Sequence, residues 1–319
     1  MSSAPEHLLN SVAVITEQRQ LVSLATSLID TIEQVMGCRQ VAIINVSALP
    51  HFPQLLTSAD YSLPLDPLPA CVKACVESGE PVQCLPPGCC KLALPLKMDD
   101  VVVKVLLINE IEPDNTQLTM LRAFARIYEN FARVVHESQT DSLTGLLNRK
   151  AYDVQLLHFF ACIRGDSNSA FRFWMLTFDI DYFKKINDNL GHLYGDEVLL
   201  QISQKMQACF NPLDALFRFG GDEFVVLIYN KSQDEVSALC NKLLAKVSEI
   251  HHEKIGSVTL SMGITPLSLE DNPTSVLMKA DKALYFAKEN GRNQWAFYHQ
   301  LINQGELAPP HIDDDIELF

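Results

Sequence analysis

The chain has 319 residues, of which 48% are hydrophobic and 20% charged, with a formal net charge of −14. That length supports two ordinary domains with a core each, and so acidic a balance argues against broad binding to nucleic acid, which needs a basic face. No apolar run reaches membrane-spanning length: the best candidate, Val101 to Ile108, is strand-sized and broken by Lys104.

The N-terminus carries Glu6 and His7 instead of the basic-then-apolar layout of a secretion signal, so a cytoplasmic protein is expected. Residues 6 to 36 place Leu8, Val12, Ile15, Leu21, Leu24, Leu28, Ile32 and Val35 at three- to four-residue steps. This predicts one or two amphipathic helices ending at Gly37. Val41 to Val46 reads as a strand, the proline-dotted stretch Pro50 to Pro69 as a loop, and Ala70 to Ser78 as a helix stopped by Gly79. Cys90 to Leu96 and Val101 to Asn109 read as antiparallel strands joined by a turn at Met98-Asp99-Asp100. The first domain, residues 1–116, is therefore predicted to be α+β.

Six of the nine cysteines fall in this half, at Cys38, Cys71, Cys75, Cys84, Cys89 and Cys90, without the paired C-x-x-C spacing of a zinc site. Reduced, buried thiols are the ordinary reading, with a metal, iron–sulfur or redox site as the alternative. Ser78-Gly79-Glu80-Pro81-Val82, Leu92-Ala93-Leu94-Pro95-Leu96, the run Val102 to Leu107 and the helix from Asn115 together resemble a GAF domain. The resemblance implies a sensor of small molecules or a ligand-free dimerisation module, and the sensory ligand or protein partner is not legible.

A helix without Pro or Gly follows, predicted over 117–140. Its Leu118, Leu121, Ala125, Tyr128, Ala132 and Val135 alternate by three and four, the spacing of a coiled-coil seam, while Phe124, Ile127, Phe131 and Val134 form a second stripe suited to packing on the first domain. A homodimer through this helix and the first domain is the expectation, with a connector helix packed within a single chain as the alternative.

The second domain is predicted over 141–300. Asp141-Ser-Leu-Thr-Gly-Leu-Leu-Asn-Arg149 is a polar turn, a helix follows around Tyr152 to Ile163, and the apolar run Phe171 to Ile180 ends in Asp179-Ile180-Asp181. Carboxylates at the end of a buried strand are costly unless paired or liganded, so a cation is expected there. Lys184 is close enough in sequence to meet a phosphate, and Asn187 and Asp196, with His192 nearby, offer the donors and acceptors that suit a guanine edge.

After a helix from Glu197 to Phe210, the runs Ala215 to Phe219 and Phe224 to Ile228 flank Gly220-Gly221-Asp222-Glu223. This is a hairpin whose tip either is a solvated Gly-Gly turn or lets a nucleotide approach the backbone beside hard oxygen ligands for Mg²⁺. Asp234 to Ile250 is a predicted helix, Ser257 to Ile264 a strand, Thr274 to Lys288 a helix, and Gln294 to Tyr298 a closing strand. Lys288 and Arg292 are either the solvated basic end of that helix or a phosphate clamp. Residues 301–319, with Pro309-Pro310 and Asp313-Asp314-Asp315, read as a disordered acidic tail.

Taken together, Asp141 to Arg149, Phe178 to Lys184, Asn187-Asp188, Gly191-His192, Gly195-Asp196, the hairpin, Ser261 to Ile264, and Ala280-Asp281 through Asn293 resemble a GGDEF-family diguanylate cyclase. The resemblance covers 141 to about 299. It implies a palm-like α/β fold with a central antiparallel sheet flanked by helices. It also implies a nucleotidyl transfer joining two GTP into cyclic di-GMP and two pyrophosphates between two facing domains.

On this resemblance Mg²⁺ or Mn²⁺ would be held by Asp179, the carbonyl of Ile180 and Asp222. Asp222 and Glu223 are both candidates for easing 3′-hydroxyl deprotonation. Gly220 and Gly221 would admit the nucleotide, Lys184, Lys288 and Arg292 would meet phosphates, and Asn187, Asp196 and His192 would surround guanine. Asp196 argues against use of ATP.

One departure stands out. Where the family's product-inhibition motif reads R-x-x-D, this chain has Asn211-Pro212-Leu213-Asp214, so weak or absent product inhibition is expected because Asn lacks arginine's charged fork. The alternative to an active cyclase is a silent GGDEF domain that senses GTP or acts as an interaction module. No cyclic di-GMP phosphodiesterase domain is expected after Tyr298.

Overall fold

The computed structural model describes residues 21–46, 55–58, 69–84, 91–109, 112–165, 173–211 and 213–308. The chain divides into two compact units, residues 1–138 and 139–319.

The N-terminal unit is built on a five-stranded antiparallel sheet. Helix α1 (Leu21–Met36) leads to β1 (Val41–Asn45) and β2 (Leu55–Thr57); helix α2 (Ala70–Ser78) precedes β3 (Val82–Cys84), β4 (Lys91–Met98) and β5 (Val101–Asn109), and α3 (Asn115–Gln139) ends the unit. The strand order is β2-β1-β5-β4-β3. Two strands were not predicted. β2 lies inside the expected loop, where Leu55, Leu56 and Thr57 pair with the edge of β1, and β3 is too short and too exposed to show an alternating pattern. The β4–β5 turn falls where predicted, with Asp99 and Asp100 at φ 50° and 63°. The predicted helical residues before 21 and the cysteines Cys89 and Cys90 lie outside the described residues.

Strand alternation divides the core of this unit into two layers. Val41, Ile43, Leu92, Leu94, Leu106 and Ile108 face α1 and α3, whereas Ala42, Ile44, Ala93, Val105 and Leu107 face α2. The stripe of α3 expected to pair two chains is used within this unit. Leu121, Ala125, Tyr128, Ala132 and Val135 are all buried on the sheet, and of the second stripe Phe124 is buried while Val134 is 61% exposed. The reason is shape: the same three-and-four spacing fits a sheet face as well as a partner helix.

Polar contacts reinforce the docking. Lys104 of β5 donates to the Tyr128 hydroxyl at 2.9 Å, and the backbone N–H of Lys97 donates to Glu129 at 2.6 Å. Cys71 and Cys75 lie on the buried face of α2, and burial, then the neighbouring Cys71, pushes the Cys75 thiol up to about 11. Cys38 and Cys84 are half-buried, and among the described residues no group of three or more His, Cys, Asp or Glu is gathered.

The C-terminal unit is a six-stranded sheet covered by helices on both faces. In chain order it contains β6 (Leu147–Asn148), α4 (Arg149–Gly165), β7 (Trp174–Ile180), α5 (Phe183–Leu190), α6 (His192–Cys209), β8 (Ala215–Gly220), β9 (Glu223–Ile228) and α7 (Gln233–Ser248). There follow a small hairpin β10 (His251–His252) and β11 (Gly256–Ser257), then β12 (Leu260–Pro266), α8 (Pro273–Glu289), β13 (Trp295–Phe297) and α9 (Tyr298–Asn303). The sheet order is β13-β12-β7-β9-β8-β6, antiparallel in the middle with a parallel pair at each edge.

Trp174, Leu176, Phe178 and Ile180 of β7 pack with Phe224, Val226 and Ile228 of β9 against α6 and α7. Met175, Val225 and Leu227 point the other way, toward α4 and α8. The expected tail is shorter than predicted. Residues 301–303 belong to α9, and Leu301, 5% exposed, packs with Ala283 and Tyr298; the acidic stretch itself lies outside the described residues.

Candidate active site

Two neighbouring strand ends bring the carboxylates together. In β7 the period of two that buries Phe178 and Ile180 on one face puts Asp179 on the α8 face, and the register sets Asp179 opposite Glu223, the first residue of β9. Asp222 precedes it at the hairpin tip. The Asp179 and Asp222 carboxylates lie within hydrogen-bonding reach, and Lys288 Nζ of α8 sits 2.6 Å from Asp179 Oδ2. Burial first, and then the Asp222 carboxylate, push Asp179 up to about 6 despite the lysine. Two acids crowded in this way carry more negative charge than one lysine balances, a donor set that fits a hard divalent cation, which takes one or two carboxylates and completes its shell with substrate phosphates and water. The expected third ligand, the carbonyl of Ile180, ends the same strand.

Asp181, which sequence alone groups with Asp179, has a different job. It is 5% exposed and fully engaged, accepting from Thr259 Oγ1 and Ser261 Oγ at 2.7 Å each and from the backbone N–H of Asn293 at 3.0 Å. This knot ties the end of β7 to β12 and to the turn after α8. It fixes where Asp179 and Arg292 stand. Arg292 lies in that turn with φ 59°.

The hairpin tip is braced by a residue to which the sequence alone gives no role. Arg218 donates through Nε and Nη2 to the Gly221 carbonyl at 3.1 and 2.9 Å, and through Nη1 to Asp141 Oδ1 at 2.9 Å. Asp141 also accepts from the N–H and hydroxyl of Thr144. Burial raises its carboxyl, but those bonds and the Arg218 charge outweigh burial and hold it below the ordinary carboxylate value. Gly220 and Gly221 have φ of +149° and +53°, with open space where a Cβ would stand. An L side chain would strain both. The Asp-x-x-Thr spacing is a visible turn signal, but a partner 77 residues away is not.

The proposed base-reading residues sit on α5 and α6. Asn187 is half-buried, and its Oδ1 is buried without a hydrogen-bond partner among the described residues. Gly195 packs so closely that an added Cβ would collide with that oxygen. An orphan buried acceptor is costly in a protein and is relieved by a ligand donor. Lys184 in the first turn of α5, and His192 and Asp196 near the start of α6, are exposed.

At the degenerate inhibitory motif, Asn211 and Asp214 are joined through the backbone N–H of Asn211. Asp214 is 2% exposed, and its two oxygens accept from the backbone N–H groups of Asn211 and Tyr229 at 2.9 Å each. Burial raises its carboxyl in spite of those bonds. It is a loop pin joining the start of β8 to the end of β9. Asn211 is exposed.

Residues 138–294 match the family model "Diguanylate cyclase, GGDEF domain". Among curated relatives, the chain is 29% identical over 213 residues to Diguanylate cyclase A of Treponema denticola, covering 63% of this chain and 57% of that protein. It is 34% identical over 171 residues to the cyclic di-GMP phosphodiesterase PdeR of Escherichia coli, covering 52% of this chain and 25% of that protein. The chain thus spans less than two thirds of the length of these relatives. The crystal structure of the coiled coil and GGDEF domain of DgcB from Caulobacter crescentus, in complex with c-di-GMP, matches with a TM-score of 0.50 at 26% identity, covering 58% of this chain and 100% of that one. Residues 138–294, all but the first in the C-terminal unit, therefore carry the GGDEF domain that the family model describes. Its palm-like α/β architecture agrees with the expected fold.

Proposed function

We propose that the protein is a diguanylate cyclase that condenses two GTP into cyclic di-GMP and two pyrophosphates. The observation that carries this reading is the crowding of Asp179 against Asp222 beside Lys288, at a tip where glycine leaves the backbone open to a nucleotide. A divalent ion, Mg²⁺ or Mn²⁺, would be held by Asp179, the Ile180 carbonyl and Asp222, and when bound would supply positive charge to the reacting phosphates and the leaving pyrophosphate. Lys288, now on Asp179, is placed to exchange that carboxylate for a phosphate, and Arg292 and Lys184 add cationic donors. Asn187 and Asp196 select guanine by accepting from its N–H groups, with His192 beside them. Glu223, exposed at the register position opposite Asp179, and Asp222 are the groups able to draw the proton from an attacking 3′-hydroxyl.

Each domain holds one GTP in this reading, so the reaction requires two copies facing each other, and the protein acts as a homodimer. The N-terminal unit is read as a GAF-like regulatory domain, supported by its antiparallel sheet with helices on both faces. Product inhibition is weak, because Asn211 lacks a charge and Asp214 is occupied by backbone donors. Among the described residues no helix is long and apolar enough to cross a membrane.

Incubating the full chain with GTP and Mg²⁺, and separating products by chromatography, should give cyclic di-GMP. Asp222→Ala and Glu223→Ala should each cut the rate by at least about 100-fold, the usual scale for losing a general base or a metal ligand. Wild-type protein that binds GTP without forming product at any protein concentration would favour a GTP-sensing domain.

A further inference from the structure

Tyr182 stands between the Asp181 knot and the first turn of α5. Its backbone is left-handed, φ 58°, a conformation that costs a residue with a Cβ about 1 kcal/mol, and the residue is 53% exposed. Neither feature is explained by core packing. Two cations use the ring instead: Lys185 Nζ lies 4.4 Å from its centroid, and the guanidinium carbon of Arg292 lies 4.8 Å from it. The turn that carries Arg292 is therefore gripped twice by consecutive residues. Asp181 accepts from the backbone N–H of Asn293, and Tyr182 holds the side chain of Arg292.

The kind of grip matters. A carboxylate partner would neutralise the guanidinium and occupy its N–H fork, whereas an aromatic face attracts the cation through its quadrupole and leaves the five N–H donors available. Loose, a long arginine side chain would lose rotamer freedom on meeting a phosphate; held against a ring, part of that ordering is already done.

We propose that Tyr182 is a positioning residue that holds Arg292 by cation–π contact, ready for the phosphates of a bound guanine nucleotide. This rests on the reading of Arg292 as a phosphate ligand. The ring, not the hydroxyl, does the positioning.

The test is binding of the non-cyclisable analogue guanosine 5′-(α,β-methylene)triphosphate and of GMP with Mg²⁺ by titration calorimetry, with cyclic di-GMP formation from GTP followed in parallel. Tyr182→Leu should weaken triphosphate binding about fivefold, in the range of a partly solvated cation–π contact, and leave GMP binding unchanged. Tyr182→Phe should bind the analogue like wild type. In an Arg292→Ala background, Tyr182→Leu should add no further loss. The proposal is overturned by wild-type affinity in Tyr182→Leu, by equal losses in the Phe and Leu variants, by equal losses for triphosphate and GMP, or by a full additive loss without Arg292. Because binding is measured without turnover, a wild type that binds the analogue but makes no cyclic di-GMP overturns the cyclase reading and leaves these outcomes decisive for Tyr182.

Discussion

Asn187 and Gly195 show how little space surrounds the proposed base-reading amide. The nearest atom to a Cβ at 195 is the end of the Asn187 side chain, so Gly195→Ala should displace that amide and leave the helix intact. Binding of the methylene GTP analogue should weaken about tenfold, near 1.4 kcal/mol, with the thermal transition unmoved; unchanged affinity would show that Asn187 does not read the base. A second buried polar residue makes a pH prediction in the other unit. Burial lowers Lys104 from 10.5 to about 8. Between those values the unfolded chain binds more protons than the folded one, so this group adds stability as pH rises from 8, and that contribution is lost as pH falls through 8. Tyr128, raised by burial, acts oppositely only above its ordinary value of 10. In thermal melts, the difference between wild type and Lys104→Met should shift in favour of wild type by a few degrees from pH 7 to pH 9.5; a constant difference would mean Lys104 keeps an ordinary ammonium.

The elements were largely legible in the sequence, because long periodic stretches such as α3, α8 and the β8–β9 hairpin show their faces directly. What those faces pack against was not. The stripe through Leu121, Tyr128 and Val135 has the same spacing whether it meets a second helix or, as here, its own sheet. β2 and β3 escaped because three-residue strands exist only through their pairing with β1 and β4. Asp179 and Asp181 look alike as neighbours of Ile180, yet the alternation of the strand sends one to the site and the other into a structural knot. At Gly263 the sequence shows only a glycine in a strand, whereas in the fold α8 lies so close that a Cβ would strike the Ala280 carbonyl and the Leu284 amide. Backbone cannot yield cheaply. Gly263→Ala should therefore cost at least about 1–3 kcal/mol, read as a drop in denaturation midpoint of the C-terminal unit, and would also move Lys288, which α8 carries. A wild-type midpoint would show that α8 shifts freely on β12.

For the whole molecule, the proposed chemistry makes activity a property of encounters between chains. Specific activity should rise with protein concentration until dimerisation saturates, and should persist in micromolar cyclic di-GMP. Asp214→Asn should lower thermal stability, since both of its oxygens hold backbone donors, without raising activity in the presence of product. Relief of a product block by that variant would instead make Asp214 a ligand-binding group. The knot at Asp181 has one more consequence, for a chain emerging from the ribosome. Its last bond comes from Asn293, and Lys288 reaches Asp179 across 109 residues. A nascent chain therefore carries Asp179, Asp222 and Glu223 long before it can set them in place, and the proposed site forms only when nearly all of the C-terminal unit has been made.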